Sequence, residues 1–222
     1  MTDAPELDAD QGRLLIGEAT LRVLLVHTAD PVAVALEGDE AVRELAALQG
    51  AGVIAGGRAH PSVAGALGAI VRPELCTLEL SHSGKAMQGW LAYDAAALLL
   101  PARSEGEPRR TLLALHPTVV PGALAALVDL GPRPRTGTPE QRVYTPEAFP
   151  DVRRRWRLEA AWSLPGEVTG GDGLEVLDSA DGLWMLTSGE EGGQPIAWPV
   201  TPTLVWRQFV RVVMRRAADA VQ

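Results

Sequence analysis

Several residue types are scarce in this sequence of 222 residues, and each scarcity excludes a class of protein. Cys76 is the single cysteine, so the chain can form neither an internal disulfide framework nor a zinc or iron–sulfur site with several cysteines. The first ten residues contain four acids and no basic residue, so the positively charged start of a secretory signal is missing. No apolar run approaches the roughly 20 residues that a membrane span requires. We therefore expect a cytoplasmic protein without membrane insertion.

The balance of charge disfavours a nucleic-acid partner. Asp and Glu number 28 against 20 Lys and Arg, which gives a formal net charge of -8 that repels a phosphate backbone. A composition with 46% hydrophobic and 22% charged residues is typical of an ordinary globular domain. We expect one α+β domain over residues 13–218, preceded by a disordered acidic tail at residues 1–12.

Three helices are predicted in the first third of the chain. The apolar run 14–26 is ambiguous between strand and helix, and the spacing of Leu21, Leu24 and Leu25 favours a helix. A second helix is predicted over 39–49, with Asp39 as its cap and Gly50 after its end. A third begins at Pro61, a residue that the first position of a helix tolerates.

The pattern then changes to the alternation of strands. Apolar Cys76, Leu78 and Leu80 alternate with polar residues, which predicts a half-buried antiparallel strand. Residues 82–85 form a hairpin turn into a partner strand over 86–93. Further strands are predicted at 95–102 and 111–116, and a helix begins at Pro121.

The second half shows a similar order of elements. A helix is predicted from Pro146 to the arginine run 153–155, followed by strands at 157–164, 174–178, 183–187 and 196–200. Thr201 and Pro202 then begin a final helix. Residues 61–130 and 146–216 therefore each read as helix, four strands and helix. This predicts a pseudo-twofold α+β fold with helices packed on a central, largely antiparallel sheet. The alternative is two unrelated runs of strands.

No pattern of catalytic or metal-binding residues is present. His27, His60, His82 and His116 lie far apart without the local spacing of metal ligands, and Ser81-His82-Ser83 lacks a nucleophile elbow. We expect no metal, no cofactor and no enzymatic activity. Two alternatives stay open: a small-molecule enzyme whose Glu159 and Asp178 converge in a cleft, and a subunit of a larger assembly.

Two stretches carry a resemblance to a known family. Residues 45–73 read LAALQGAGVIAGGRAHPSVAGALGAIVRP and precede a strand hairpin, and the chain later reads LEVLDSADGLWMLTSG and PIAWPVTPTLVWRQFVRVV. This order of helix, turn, helix, hairpin and late helix start resembles the EspG family of type VII (ESX) secretion chaperones. The resemblance implies a pseudo-twofold α+β fold. It also implies a chaperone that binds a helical secreted protein of PE/PPE-like or WXG100-like type, as a monomer or homodimer.

Such a family recognises its partner through a surface, so candidate positions are chosen by predicted exposure. Tryptophan matters here, because it is enriched at interfaces and five of the six lie in the second half. Each position has a simpler interpretation as a solvated loop or a core residue. The predicted partner-binding residues, from the hairpin loop, its flanking strands and two later tryptophans, are Glu79, His82, Ser83, Lys85, Gln88, Trp90, Trp184 and Trp198.

Overall fold

The protein has an α+β fold with antiparallel strands. A computed structural model describes residues 4–30, 38–74, 76–82, 84–101, 109–133, 140–162, 170–187 and 193–219. The strands are β1 Glu6–Asp8, β2 Arg13–Gly17, β3 Ile54–Ala55, β4 Arg58–Ala59, β5 Cys76–His82, β6 Lys85–Leu91, β7 Ala96–Leu100, β8 Arg109–Leu115, β9 Arg142–Val143, β10 Val152–Trp162, β11 Gly170–Ser179, β12 Gly182–Thr187 and β13 Ile196–Val200. The helices are α1 Glu18–Ala29, α2 Asp39–Gly50, α3 Pro61–Val71, α4 Val120–Leu127 and α5 Pro202–Asp219.

The chain divides into two compact units. Unit 1 comprises Met1–Thr77 and Met87–Pro117, and unit 2 comprises Leu78–Ala86 and Thr118–Gln222. The single domain over 13–218 stays a prediction. No helix of the described ranges combines the length and apolar character that crossing a membrane requires.

Unit 1 contains an antiparallel sheet in the order β1-β2-β8-β7-β6. Helix α3 packs on β7 and β8, and α1 packs against both α2 and α3. The core of unit 1 joins fully buried leucines from β2 and from all three helices, namely Leu14, Leu24, Leu48 and Leu67. The predicted second and third helices are confirmed as α2 and α3. Pro61 is the first residue of α3, and His60 Nδ1 accepts the Ser62 amide hydrogen at 3.2 Å.

The prediction of a helix from residue 14 is wrong for its first residues. Arg13–Gly17 is strand β2, and α1 begins only at Glu18. Leu14 and Ile16 are fully buried and alternate with half-buried neighbours, which is the period of a strand. The helical spacing of Leu21, Leu24 and Leu25 is confirmed, because all three residues lie in α1.

The predicted disordered tail is corrected for the described residues 4–12. Glu6–Asp8 forms strand β1, whose Leu7 pairs with Leu14 and packs against the core of unit 1. Arg109 Nη1 lies 2.5 Å from Glu6 Oε1, and Arg13 Nη2 lies 3.3 Å from Asp8 Oδ2. Two of the four acids that suggested a solvated tail, Glu6 and Asp8, are therefore paired with arginines of the sheet.

Unit 2 contains a sheet in the order β5-β10-β11-β12-β13-β9. One side of this sheet, the helix face, carries Trp156, Val176 and Met185 in register. Helix α5 packs on this side, with the Phe209 ring centroid 5.3 Å from that of Trp156, and α4 packs on α5. The opposite side, the open face, carries Arg155 and Arg157 at the alternate positions of β10.

The predicted helix from Pro146 is wrong. Pro146–Ala148 is a single 3-10 turn, and the arginine run lies in strand β10. Residues 154–160 of β10 alternate between buried or half-buried and exposed side chains, so a period of two describes them better than a helix end does. The final helix is confirmed as α5, with the Leu204 amide donating to Thr201 Oγ1 at 3.2 Å. The pseudo-twofold repeat stays a prediction, and the described residues between Pro146 and β10 contain a 3-10 turn in place of its first α-helix.

Candidate functional site

The predicted binding residues fall in both units. Gln88 and Trp90 lie on the part of β6 that belongs to unit 1, where Gln88 is exposed and Trp90 is half-buried against the core. The solvent-facing position predicted for Trp90 is therefore corrected in part. Glu79, His82, Lys85, Trp184 and Trp198 lie in unit 2, and Ser83 lies outside the described residues.

The end of the β5–β6 hairpin forms one side of a shallow groove in unit 2. Glu79 and Lys85 are exposed, and His82 Nδ1 lies 3.3 Å from the Arg155 carbonyl oxygen. Gly84 has a φ of 74°, which favours glycine at this turn. The groove has a volume of ≈ 410 Å³ and is lined by Ser81, His82, Gly84, Arg155, Trp156, Arg157 and Glu175.

Charged side chains that are not among the predicted binding residues form the floor of this groove. Arg155 Nε lies 2.5 Å from Glu175 Oε1, and this hydrogen bond raises the pKa of the Arg155 guanidinium above its ordinary value. Arg157 pairs with Glu159, two residues along the same strand face. The alternation in RRRWRLEAAW could have predicted these exposed arginines. The paired charges give the groove a mixed, polar surface.

Trp184 is not part of any exposed surface, which corrects its predicted role. Its side chain is fully buried, and its Nε1 donates to Asp181 Oδ1 at 3.1 Å. The Phe149 ring packs edge-on against it at 5.2 Å between centroids, and the Arg142 guanidinium lies 5.0 Å from the ring centroid. Phe149, which we predicted in a helix, and Arg142, which precedes that predicted helix, supply this cover.

Trp198 is exposed, and its role in partner binding stays a prediction. Its side chain keeps 43% of its surface accessible, and its Nε1 donates to Thr187 Oγ1 at 3.1 Å. Leu204 and Trp206 at the start of α5 are also exposed, and only two residues separate Trp198 from the loop residue Thr201 before this helix. We call Trp198, Leu204 and Trp206 the apolar corner.

Exposed apolar side chains are concentrated in unit 2. Among the described residues, six of the eight large apolar side chains that are exposed belong to this unit, namely Val119, Leu127, Val143, Trp198, Leu204 and Trp206. Exposed apolar residues that include tryptophan are typical of protein interfaces. The apolar corner is therefore the strongest candidate interaction surface.

The predicted convergence of Glu159 and Asp178 is wrong. Glu159 is exposed and lies opposite Gly173 of β11. Asp178 follows Gly173 by an odd number of residues, so its side chain points to the other face of the sheet, the helix face. Asp178 is buried and binds Arg133, whose guanidinium pKa is raised by this hydrogen bond. Within the described ranges, no group of three or more His, Cys, Asp or Glu residues could hold a metal ion.

Comparison with known proteins shows the fold. No protein-family model matches the sequence, and no curated protein matches it. The chain is similar to a chain of the solved structure of the Mycobacterium tuberculosis type VII secretion system chaperone EspG5 in complex with a PE25–PPE41 dimer. The TM-score is 0.62 at 10% identity, over 91% of this chain and 96% of that chain. The EspG-like α+β fold is thereby confirmed, while family membership stays a prediction.

Proposed function

We propose that this protein is a non-enzymatic cytoplasmic chaperone that binds a helical PE/PPE-like protein for a type VII (ESX) secretion system. The observation that carries the proposal is the fold similarity to a structure of a type VII secretion chaperone in complex with a PE25–PPE41 dimer. The sequence resemblance, made from different features, points to the same class of protein.

The apolar corner is the proposed site of partner contact. A helical protein that awaits secretion has apolar surface that must be shielded from water. Burial of such surface favours binding by about 25 cal/mol per Å². Trp198 and Trp206 are large, exposed aromatic side chains of the kind that dominate the binding energy of interfaces. Nearby Arg207 and Arg211 are exposed and would form part of a polar rim.

The shallow groove beside the β5–β6 hairpin, which we call the hairpin groove, is a second proposed contact surface for the same partner. Its paired arginines and acids, together with Ser81 and His82, favour hydrogen bonds over apolar burial. A polar surface of this type contributes more to specificity than to affinity. Variants in the groove should therefore reduce the affinity less than variants in the apolar corner.

Affinity purification from the native host tests the proposal. The tagged protein should recover a stoichiometric helical partner, identified by mass spectrometry, and the Trp198→Ala/Trp206→Ala variant should recover at least about tenfold less. Tyr93→Ala is the matched control, because Tyr93 is an exposed aromatic residue of unit 1. Recovery of the wild-type chain without a partner would contradict the proposal.

A further inference from the structure

A short segment of unit 2 crosses the open face of the sheet. Residues 142–149, which we call the strap, begin as strand β9 and continue through the 3-10 turn Pro146–Ala148. Strand β9 pairs with β13 through two residue pairs, Val143 with Ile196 and Arg142 with Ala197. The Tyr144 amide donates to the Pro195 carbonyl oxygen at 2.7 Å.

The strap covers an apolar area of the open face. Four buried side chains of three neighbouring strands form this area, which we call the covered patch: Leu177, Trp184, Leu186 and Ala197. Along the same register, β10 presents the charged Arg155 beside Leu177, and Glu175 lies beside Leu186. The covered patch is separate from the core beneath α5, which lies on the other face.

Most residues of the strap are exposed or half-buried. Phe149 is its one buried residue, and Pro146, Glu147 and Ala148 are exposed. Arg142 and Tyr144 are half-buried, with the Arg142 guanidinium over the Trp184 ring and the Arg155 guanidinium 5.4 Å from the centroid of the Tyr144 ring. Segments with little buried apolar area and few backbone hydrogen bonds open at a lower free energy than core strands.

We propose that the strap opens locally and that the helical partner replaces it on the covered patch. This inference rests on the proposed function and adds a second apolar surface to it. The strap occupies the patch in the free protein and competes with the partner. The apparent affinity for the partner is then reduced by the small fraction of molecules in which the strap is open.

The strap itself indicates the chemistry of the occupant. Phe149 fills the patch with an aromatic ring packed edge-on against Trp184, a preferred geometry for aromatic pairs. A partner that takes this place should insert a large apolar or aromatic side chain there. The flanking Arg155–Glu175 pair favours polar residues at its edges, so an amphipathic helix fits the face.

Hydrogen exchange of the free protein tests the opening without any partner. The Tyr144 amide should exchange at least about a hundredfold faster, relative to its unfolded rate, than the central amides of β11 and β12. Phe149→Ala should accelerate the Tyr144 amide by a further tenfold or more, because it removes the anchor of the strap. If the Tyr144 amide exchanges only with global unfolding, at the rate of the β11 amides, the inference is overturned.

A disulfide across β9 and β13 tests the competition. Val143 and Ile196 form a non-hydrogen-bonded pair, since the Tyr144 amide bonds to the carbonyl of Pro195, and such pairs bring side chains closest. The variant Val143→Cys/Ile196→Cys should close the strap when oxidised. Because Val143 is exposed on the edge strand, the substitution does not enter the covered patch.

The partner recovered from the native host serves as the probe in a titration of both redox forms. Oxidation should weaken binding at least tenfold, with affinity restored by reduction, and Val143→Cys alone should bind equally under both conditions. Equal binding by both redox forms of the double variant would overturn the strap inference and leave the proposed function standing. Failure of the wild-type chain to bind any helical partner overturns the proposed function and docking on the patch, whatever the exchange rates show.

Discussion

Arg133 and Asp178 form a bidentate ion pair on the helix face of unit 2. Arg133 Nε lies 3.1 Å from Asp178 Oδ1 and Nη2 lies 2.9 Å from Oδ2, and the Asp178 side chain is 6% exposed. Arg133 Nη2 also donates to the carbonyl oxygen of Asp129, just after α4. The pair therefore fixes the chain that leaves α4 to strand β11.

Asp178→Asn should destabilise the protein by about 2–3 kcal/mol, because it leaves the half-buried Arg133 guanidinium with Asp129 as its remaining acidic neighbour among the described residues. Denaturant unfolding measures this change. Glu159→Gln is the matched control, because its pair with Arg157 is exposed on both sides and exposed pairs contribute at most about 1 kcal/mol. Equal effects of the two substitutions would show that burial of the Asp178 pair has no importance for stability.

The tryptophans of unit 2 should separate into two classes. Trp184→Ala should lower the free energy of unfolding by about 3–5 kcal/mol, because it removes a fully buried ring in contact with Phe149. Trp198→Ala should change it by less than about 1 kcal/mol, because much of that ring is already in water. Thermal or denaturant unfolding of both variants checks this order, and a reversed order would contradict the structure of the open face.

Gly12→Ala should destabilise unit 1 by about 1–3 kcal/mol through backbone strain and crowding. Gly12 has a φ of +58°, and a Cβ there would lie 3.1 Å from the Ala114 carbonyl oxygen. Gly56→Ala is the control, because its φ of +57° matches that of Gly12 but nothing lies within 4 Å of the added Cβ. A smaller loss for Gly12→Ala than for Gly56→Ala would show that the segment around β1 is not packed as described.

The elements with strong local signals could be predicted from the sequence. Helices α2, α3 and α5 and the hairpin of β5 and β6 have clear periods and turn residues, and all are confirmed. The run 14–26 differs from the predicted helix because strand β2 ends at Gly17 and α1 begins at the next residue, Glu18, with no loop between the two elements. Local patterns do not locate such a boundary.

The candidate site was harder to predict, because exposure depends on tertiary contacts. Trp184 and Trp198 lie on neighbouring strands with similar local sequences, and their opposite faces follow from the pairing of β12 with β13. The cover over Trp184 comes from Phe149, which is distant in sequence and lies after a turn that we predicted as a helix. Nothing local to Trp184 indicates that contact.

Native mass spectrometry of the tagged protein, purified from its native host, tests the central claim most directly. We expect the 23.5 kDa chain in a stoichiometric complex with a helical PE/PPE-like protein, and we expect Trp198→Ala/Trp206→Ala to release the chain alone while Tyr93→Ala does not. The same spectrum gives the number of copies of the chain in the complex. The wild-type chain alone, or a complex that both tryptophan substitutions leave unchanged, would contradict the account.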